Sequence, residues 1–190
     1  MDFGFLSTKD AAGSYITILT AIDVRTQMAT AFVTPSKRLN RYGIVELHRF
    51  IYELGRSTAI IQTDDEASIK VWGRALCREV PGLQKRTAPT GASRSQGSVE
   101  RNHQTLFAQI RTLRLALADR LQTSLETFTV KHPITPWIVK HAQWLLNRFL
   151  IHADGLRAYQ RCFSQQAQPG LAEFGKKYSS KPEDHTEKLN

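Results

Sequence analysis

The sequence predicts an α/β domain: a five-stranded mixed sheet flanked by helices. Three observations carry this. Three β-type runs stand close together at the start, at residues 2–6, 15–24 and 28–34, joined by short polar links. A wholly apolar run save for one glutamine, 58–63, lies between two stretches of helical periodicity. A long stripe of apolar residues at helical spacing then runs from about Gln96 to Leu121.

In chain order, Asp2 to Leu6 (DFGFL) reads as a short strand, and Ser7 to Ser14 as a turn-rich connection containing Gly13. Tyr15–Val24 and Met28–Thr34 are rich in β-branched and apolar residues, and Arg25-Thr26-Gln27 links them tightly, so the first three strands form an antiparallel meander. Residues 40–55 follow as an amphipathic helix, with Ile44, Leu47, Ile51 and Leu54 inward and Gly55 as its C-cap. Thr58 to Thr63 has the composition of a buried central strand and delivers Asp64 to the carboxyl edge of the sheet, where open α/β sheets place their sites. A helix over 67–80 turns Ile69, Trp72, Ala75 and Leu76 inward and stops at Pro81-Gly82; Leu83 to Thr87 is a fifth strand. The polar, small-residue stretch 88–98 reads as a mobile loop.

The long helix after it buries Val99, Leu106, Ile110, Leu113 and Leu117, and presents Glu100, Gln104 and Arg111 on the flank about 100° away. A last helix, from about Thr135 to Ile151, has Pro136 in its first turn and offers Trp137, His141, Trp144, Leu145 and Phe149 for burial. Residues 164–190 are polar without periodicity and read as a disordered tail, which leaves 1–163 as the folded domain. The order β-β-β-α-β-α-β-α-α is that of a ribonuclease-H-like domain.

Charge and cysteine usage narrow the function. The 190 residues carry a net charge of +9, which favours a polyanionic partner. Seven Lys/Arg against two acids lie between Lys85 and Arg120, so the excess surrounds Glu100. Cys77 and Cys162 fit no zinc-ligand spacing and suit a reducing compartment. No signal peptide is visible and no apolar run nears the roughly 18 residues of a membrane span, so a soluble intracellular protein is expected.

The chemistry rests on Asp2, Asp64 and Glu100, two carboxylates at strand positions and one on a helix. Mg²⁺ is a hard cation that takes oxygen ligands. Two such ions about 3.5–4 Å apart can activate one oxygen and stabilise another in phosphoryl transfer. Three carboxylates supply the charge to hold both.

Thirty-five residues separate Asp64 from Glu100. With Met1-Asp2-Phe3-Gly4-Phe5, Ile61-Gln62-Thr63-Asp64-Asp65-Glu66 and Ser95-Gln96-Gly97-Ser98-Val99-Glu100-Arg101, this resembles the catalytic core of retroviral and retrotransposon integrases, the family with an Asp, Asp-35-Glu triad. The run His132-Pro133-Ile134-Thr135-Pro136-Trp137 with Trp144-Leu145-Leu146-Asn147-Arg148 is similar to copia-type retrotransposon integrases. The likeness covers about residues 1–163. It implies that Asp2, Asp64 and Glu100 are the catalytic residues and hold two Mg²⁺ or Mn²⁺ ions. DNA, both element ends and target, is then the partner, met by Arg94, Arg101, Gln104, Arg111 and Arg114. The resemblance further implies 3′-end processing and strand transfer, a homo-oligomer, and a nuclear destination for an active copy. Asp23 matches a family position that is not catalytic. Two other readings stand beside it: a ribonuclease-H-like nuclease that stops at hydrolysis, and a decayed, non-catalytic nucleic-acid-binding module.

Overall fold

The computed structural model describes residues 1–7, 15–87, 93–129 and 132–167, with the side chains of 87 and 93–96 left aside. The expected tail thus lies outside the described residues from 168 onward, as do most of the 7–14 connection and positions 88–92 of the expected loop.

Strands β1 (Asp2–Ser7), β2 (Tyr15–Ile22) and β3 (Ala29–Thr34) form the meander read from the sequence. Its register pairs Asp2 with Thr20, Gly4 with Ile18, and Ile18 with Val33. The β2–β3 turn is built by Asp23, whose carboxylate accepts the Thr26 hydroxyl (2.7 Å), while Gln27 takes a positive φ of 63°. Helix α1 (Arg41–Glu53) starts where the Asn40 side chain accepts the Gly43 N–H, and ends before Gly55 at φ 63°. β4 (Ala59–Thr63) leads into α2 (Ala67–Glu79), then β5 (Leu83–Thr87), which pairs parallel with β4. α3 (Ser93–Arg120) begins three residues earlier than its apolar stripe suggests. A single 3₁₀ turn, Leu125–Thr127, leads to α4 (Thr135–Phe149) and the short α5 (Ala158–Phe163).

Alternation along the meander splits the interior in two. Leu6, Ile16, Ile18 and Ala31 face α3 and α4, where Leu106, Ile110, Ile138, Val139 and Ala142 are fully buried. Phe3, Leu19 and Phe32 face α1 and α2, around the fully buried Trp72, whose indole N–H donates to the Lys37 carbonyl (2.9 Å). The result is a sheet between two helical layers.

The sheet itself corrects the expectation of five continuous strands. The ladders are two: β1-β2-β3 antiparallel and β4-β5 parallel. Among the described residues they are joined where the Met1 ammonium donates to the Gln62 carbonyl (2.8 Å). The reason is overlap. β1 meets β4 only at the level of Gln62, too little for a ladder. A cleft of about 500 Å³ opens between Ala21–Val24 and Thr58–Gln62. β4 is therefore not the buried central strand its composition suggests, and Ile60 is 63% exposed.

α4 brings a second correction. It buries Thr135, Ile138, Val139, Ala142, Gln143, Leu146 and Asn147. The large aromatics lie on the other side, with Trp137 67% exposed and Trp144 stacked on His141 and Arg148. Small and branched residues let α4 approach β3 closely; a tryptophan stripe would hold it off.

Candidate active site

Asp2 is the first residue of β1, and alternation places it on the same face as Gly4 and Leu6, the face that α3 covers. It lies half-buried, with one carboxylate oxygen accepting the Phe3 N–H (2.7 Å). Burial pushes its pKa up. The nearby charges of Asp64 and, further down in weight, Glu66 push the same way, against the Phe3 hydrogen bond. Asp2 and Asp64 are therefore within electrostatic reach of each other.

Asp64 follows β4 and accepts the Glu66 N–H on one oxygen (3.1 Å), which shapes the entry to α2. Its two acidic neighbours are drawn elsewhere. Asp65 pairs with Lys70 at 2.5 Å. Glu66 accepts Lys37 on both oxygens at 2.7 Å and also meets the Ser68 hydroxyl. Burial would raise the Glu66 pKa, but the hydrogen bonds from Lys37 and Ser68 outweigh it and hold the carboxyl low. Of the three consecutive acids, Asp64 alone pairs with no lysine or arginine among the described residues; the charge it feels is that of the Met1 ammonium. Asp23, by contrast, sits in its turn and pairs with Arg56 at 3.1 Å; burial would raise its pKa, but the Thr26 hydroxyl and then Arg56 outweigh it and hold it low.

Glu100 is exposed on α3, one position past the buried Val99. α3 runs along β1 in the same direction: Val99 and Met1 line one cleft, His103 and Phe107 lie on Gly4, and Leu106 and Ile110 share a core cluster with Leu6. The turn of α3 that carries Glu100 thus stands level with Asp2. Side chains have not converged. Among the described residues no group of three His, Cys, Asp or Glu side chains lies close enough to hold a metal ion. The structure leaves Asp2 and Asp64 within electrostatic reach of each other and Glu100 on the neighbouring turn of α3.

The two carboxylates nevertheless fit a divalent cation. They are hard oxygen donors, and the burial that chiefly raises the Asp2 pKa, with a smaller push from Asp64, is a cost that a cation would relieve. Beside Asp2, Thr20 is fully buried with its hydroxyl unpartnered, and His103 Nε2 is buried without a partner as well.

Of the residues expected to meet DNA, Arg94 falls in the part of α3 whose side chains are not described. Arg101, Gln104 and Arg111 are exposed along α3, and Arg101 Nε donates to the Gly97 carbonyl (3.1 Å). Arg114 is half-buried and its guanidinium donates to the Phe128 carbonyl (2.6 Å), which ties α3 to the following turn. A second cleft of about 770 Å³ runs beside Arg101, lined also by Arg25, Asn102, His152 and Arg161.

Sequence reasoning missed Gly4, Lys37, Thr20 and His103. Only Gly4 carried a usable signal, since an isolated glycine inside a strand marks a close backbone approach.

No protein-family model matches the chain, and no curated protein matches it. Solved structures do. The HTLV-2 integrase catalytic core domain in complex with magnesium, in its trimeric form, aligns with TM-score 0.59 and 15% identity over 85% of this chain and 92% of that one. The catalytic core domain of BIV integrase aligns at 0.52 and 16% identity, over 85% and 91%. The simian T-cell lymphotropic virus intasome in complex with PP2A regulatory subunit B56 gamma gives 0.62 and 17% identity, over 94% of this chain but 58% of that one. At these identities the likeness is one of fold, and the fold is that of integrase catalytic cores, an α/β ribonuclease-H-like arrangement.

Proposed function

We propose that residues 1–163 form an integrase-like catalytic core of retroelement origin, which carries out metal-dependent phosphoryl transfer on DNA: 3′-end processing followed by strand transfer. The observation that carries this reading is the integrase-type fold, in which Asp2 and Asp64 lie within electrostatic reach of each other and the Glu100 turn of α3 stands level with β1. Asp2, Asp64 and Glu100 are the residues that would hold two Mg²⁺ or Mn²⁺ ions. When bound, such ions polarise a phosphodiester and generate a nucleophile at neutral pH. The chain's own residues prepare the place. Lys37 and Lys70 pair with Glu66 and Asp65, which leaves Asp64 as the acid of the three without a lysine or arginine. Arg101, Gln104 and Arg111 lie along the exposed flank of α3 beyond Glu100, where a DNA backbone would run.

Magnesium in the HTLV-2 structure and an intasome among the neighbours support a divalent metal and a DNA partner, and both dimeric and trimeric forms of that core support self-association. A labelled oligonucleotide incubated with the chain and Mg²⁺ or Mn²⁺ tests the proposal. Cleavage and strand transfer are expected. Asp64→Asn and Glu100→Gln should each abolish both and weaken Mn²⁺ binding in calorimetry, with DNA binding retained. Hydrolysis without strand transfer would favour the simpler nuclease. Salt-dependent DNA binding without cleavage would favour a non-catalytic module, the reading to which the unconverged Glu100 lends weight.

A further inference from the structure

Gly4 stands in the middle of β1, on the face covered by α3. A Cβ built there would lie 2.8 Å from Phe107 Cζ, 3.2 Å from His103 Nε2 and 3.3 Å from His103 Cδ2. Side chains essentially never show a Cβ contact below 3.0 Å, so something would have to move. Neither ring yields readily. The two are stacked with their planes within 1° and centroids 5.7 Å apart, and both meet the added methyl at once. His103 is 9% exposed, its Nε2 has no partner, and burial pushes its pKa down to about 4. A neutral imidazole thus lies over the glycine where α3 meets β1.

The contact is near the site. Asp2 lies two residues back from Gly4 on the same strand face, about 6.8 Å along it. Glu100 lies three residues back from His103, about 4.5 Å along the helix. Raising α3 at Gly4 would carry Glu100 away from β1 with it.

We propose that Gly4 is a positioning residue: by lacking a Cβ it lets the His103–Phe107 pair rest directly on β1, and this sets how far Glu100 reaches toward Asp2. Gly4 touches no substrate. The proposal rests on the reading of Asp2 and Glu100 as metal-holding partners.

The test uses the full chain, with Gly4→Ala, the double variant Gly4→Ala/Phe107→Leu, and Glu100→Gln as reference. Three quantities are read: the His103 titration by NMR, Mn²⁺ affinity by calorimetry, and kcat and KM for oligonucleotide cleavage in Mn²⁺. In Gly4→Ala the His103 pKa should move from about 4 toward 6.5 as the ring is lifted into water. A displacement of about 1 Å should lower kcat about a hundredfold, a larger change than in KM for DNA, since the exposed Arg101 and Gln104 that move with the helix are long, adaptable side chains. Phe107→Leu removes the clashing Cζ, so the double variant should recover at least about tenfold in kcat and return His103 toward 4. An unmoved His103 in Gly4→Ala overturns the proposal, as does a moved His103 with parental kcat and Mn²⁺ affinity. Gly4→Ala that unfolds without rescue by Phe107→Leu overturns it in favour of plain core packing. A parent chain that neither binds Mn²⁺ nor cleaves refutes the metal-site reading, and the role of Gly4 in it falls too. The His103 titration then still reports, separately, whether Gly4 holds the helix.

Discussion

Two residues show the site under electrostatic tension. The folded Asp2 carboxyl binds its proton more tightly than an unfolded aspartate, chiefly through burial and then through Asp64. The folded state therefore holds more protons in the window above the unfolded value of about 3.9, and stability falls as pH rises through it. At pH 7 the ionised Asp2 opposes folding. Asp2→Asn is expected to melt above the parent at pH 7 in metal-free buffer, with the gap closing as pH drops below about 4. Saturating Mg²⁺ should raise the parent Tm and leave the variant unmoved, since a ligand stabilises only a state that binds it. A variant that is less stable at neutral pH would remove the strained pair. The sequence singled out Asp64 among the three acids at 64–66 by its spacing to Glu100. What it did not show is that Lys37, 29 residues away, and Lys70 pair with the other two, a pairing that no local pattern encodes.

Among the elements, α4 teaches the most. Its helical period was plain, yet the buried face is about one residue step away from the aromatic one. Hydrophobic size pointed to Trp137 and Trp144, whereas close approach to β3 selected Ile138, Val139 and Ala142. The same face carries an amide relay hidden from any hydropathy reading. Asn102 donates to Gln143 (3.0 Å), Gln143 to Asn147 (3.1 Å), and Asn147 both donates to and accepts from the Ala29 backbone (2.7 and 3.0 Å). The relay ties α3 to α4 and α4 to the start of β3. Asn147→Ala would leave the buried Ala29 N–H and carbonyl unpaired at about 1–3 kcal/mol each, so a loss of roughly 2–6 kcal/mol is expected in urea denaturation. Asn147→Asp keeps the acceptor but not the donor and should fall between the two. A loss under about 1 kcal/mol for Asn147→Ala would mean that water replaces the side chain.

For the molecule as a whole, the meander, the element order and both helical layers were legible because each element carried its own period and its own stop signal. The division of the sheet was not. Whether β1 overlaps β4 depends on how two segments some sixty residues apart are offset, which periodicity does not record. Charge was legible as a total and as a cluster, and the described side chains sort it: Arg101 and Arg111 point outward, while Arg114 serves its own fold. DNA affinity should therefore fall steeply with salt, by a slope of about 0.9 per phosphate neutralised. Arg101→Ala should lower that slope by about 1 on any DNA sequence, and Arg114→Ala should cost stability instead. An unchanged slope in Arg101→Ala would place the polyanion surface elsewhere on the molecule.

The aromatic residues that α4 leaves outside give the protein an optical signature. Its three tryptophans occupy three different media: Trp72 fully enclosed against Phe3, Trp144 partly covered between His141 and Arg148, and Trp137 largely in water. Their fluorescence should separate accordingly, a short-wavelength component that iodide cannot reach and a red-shifted one that it quenches. The enclosed emission follows the integrity of the α1–α2 layer, and the quenchable part follows what covers α4. Two copies meeting through that face would darken or shield the second component and leave the first untouched, so association can be watched in solution without a label.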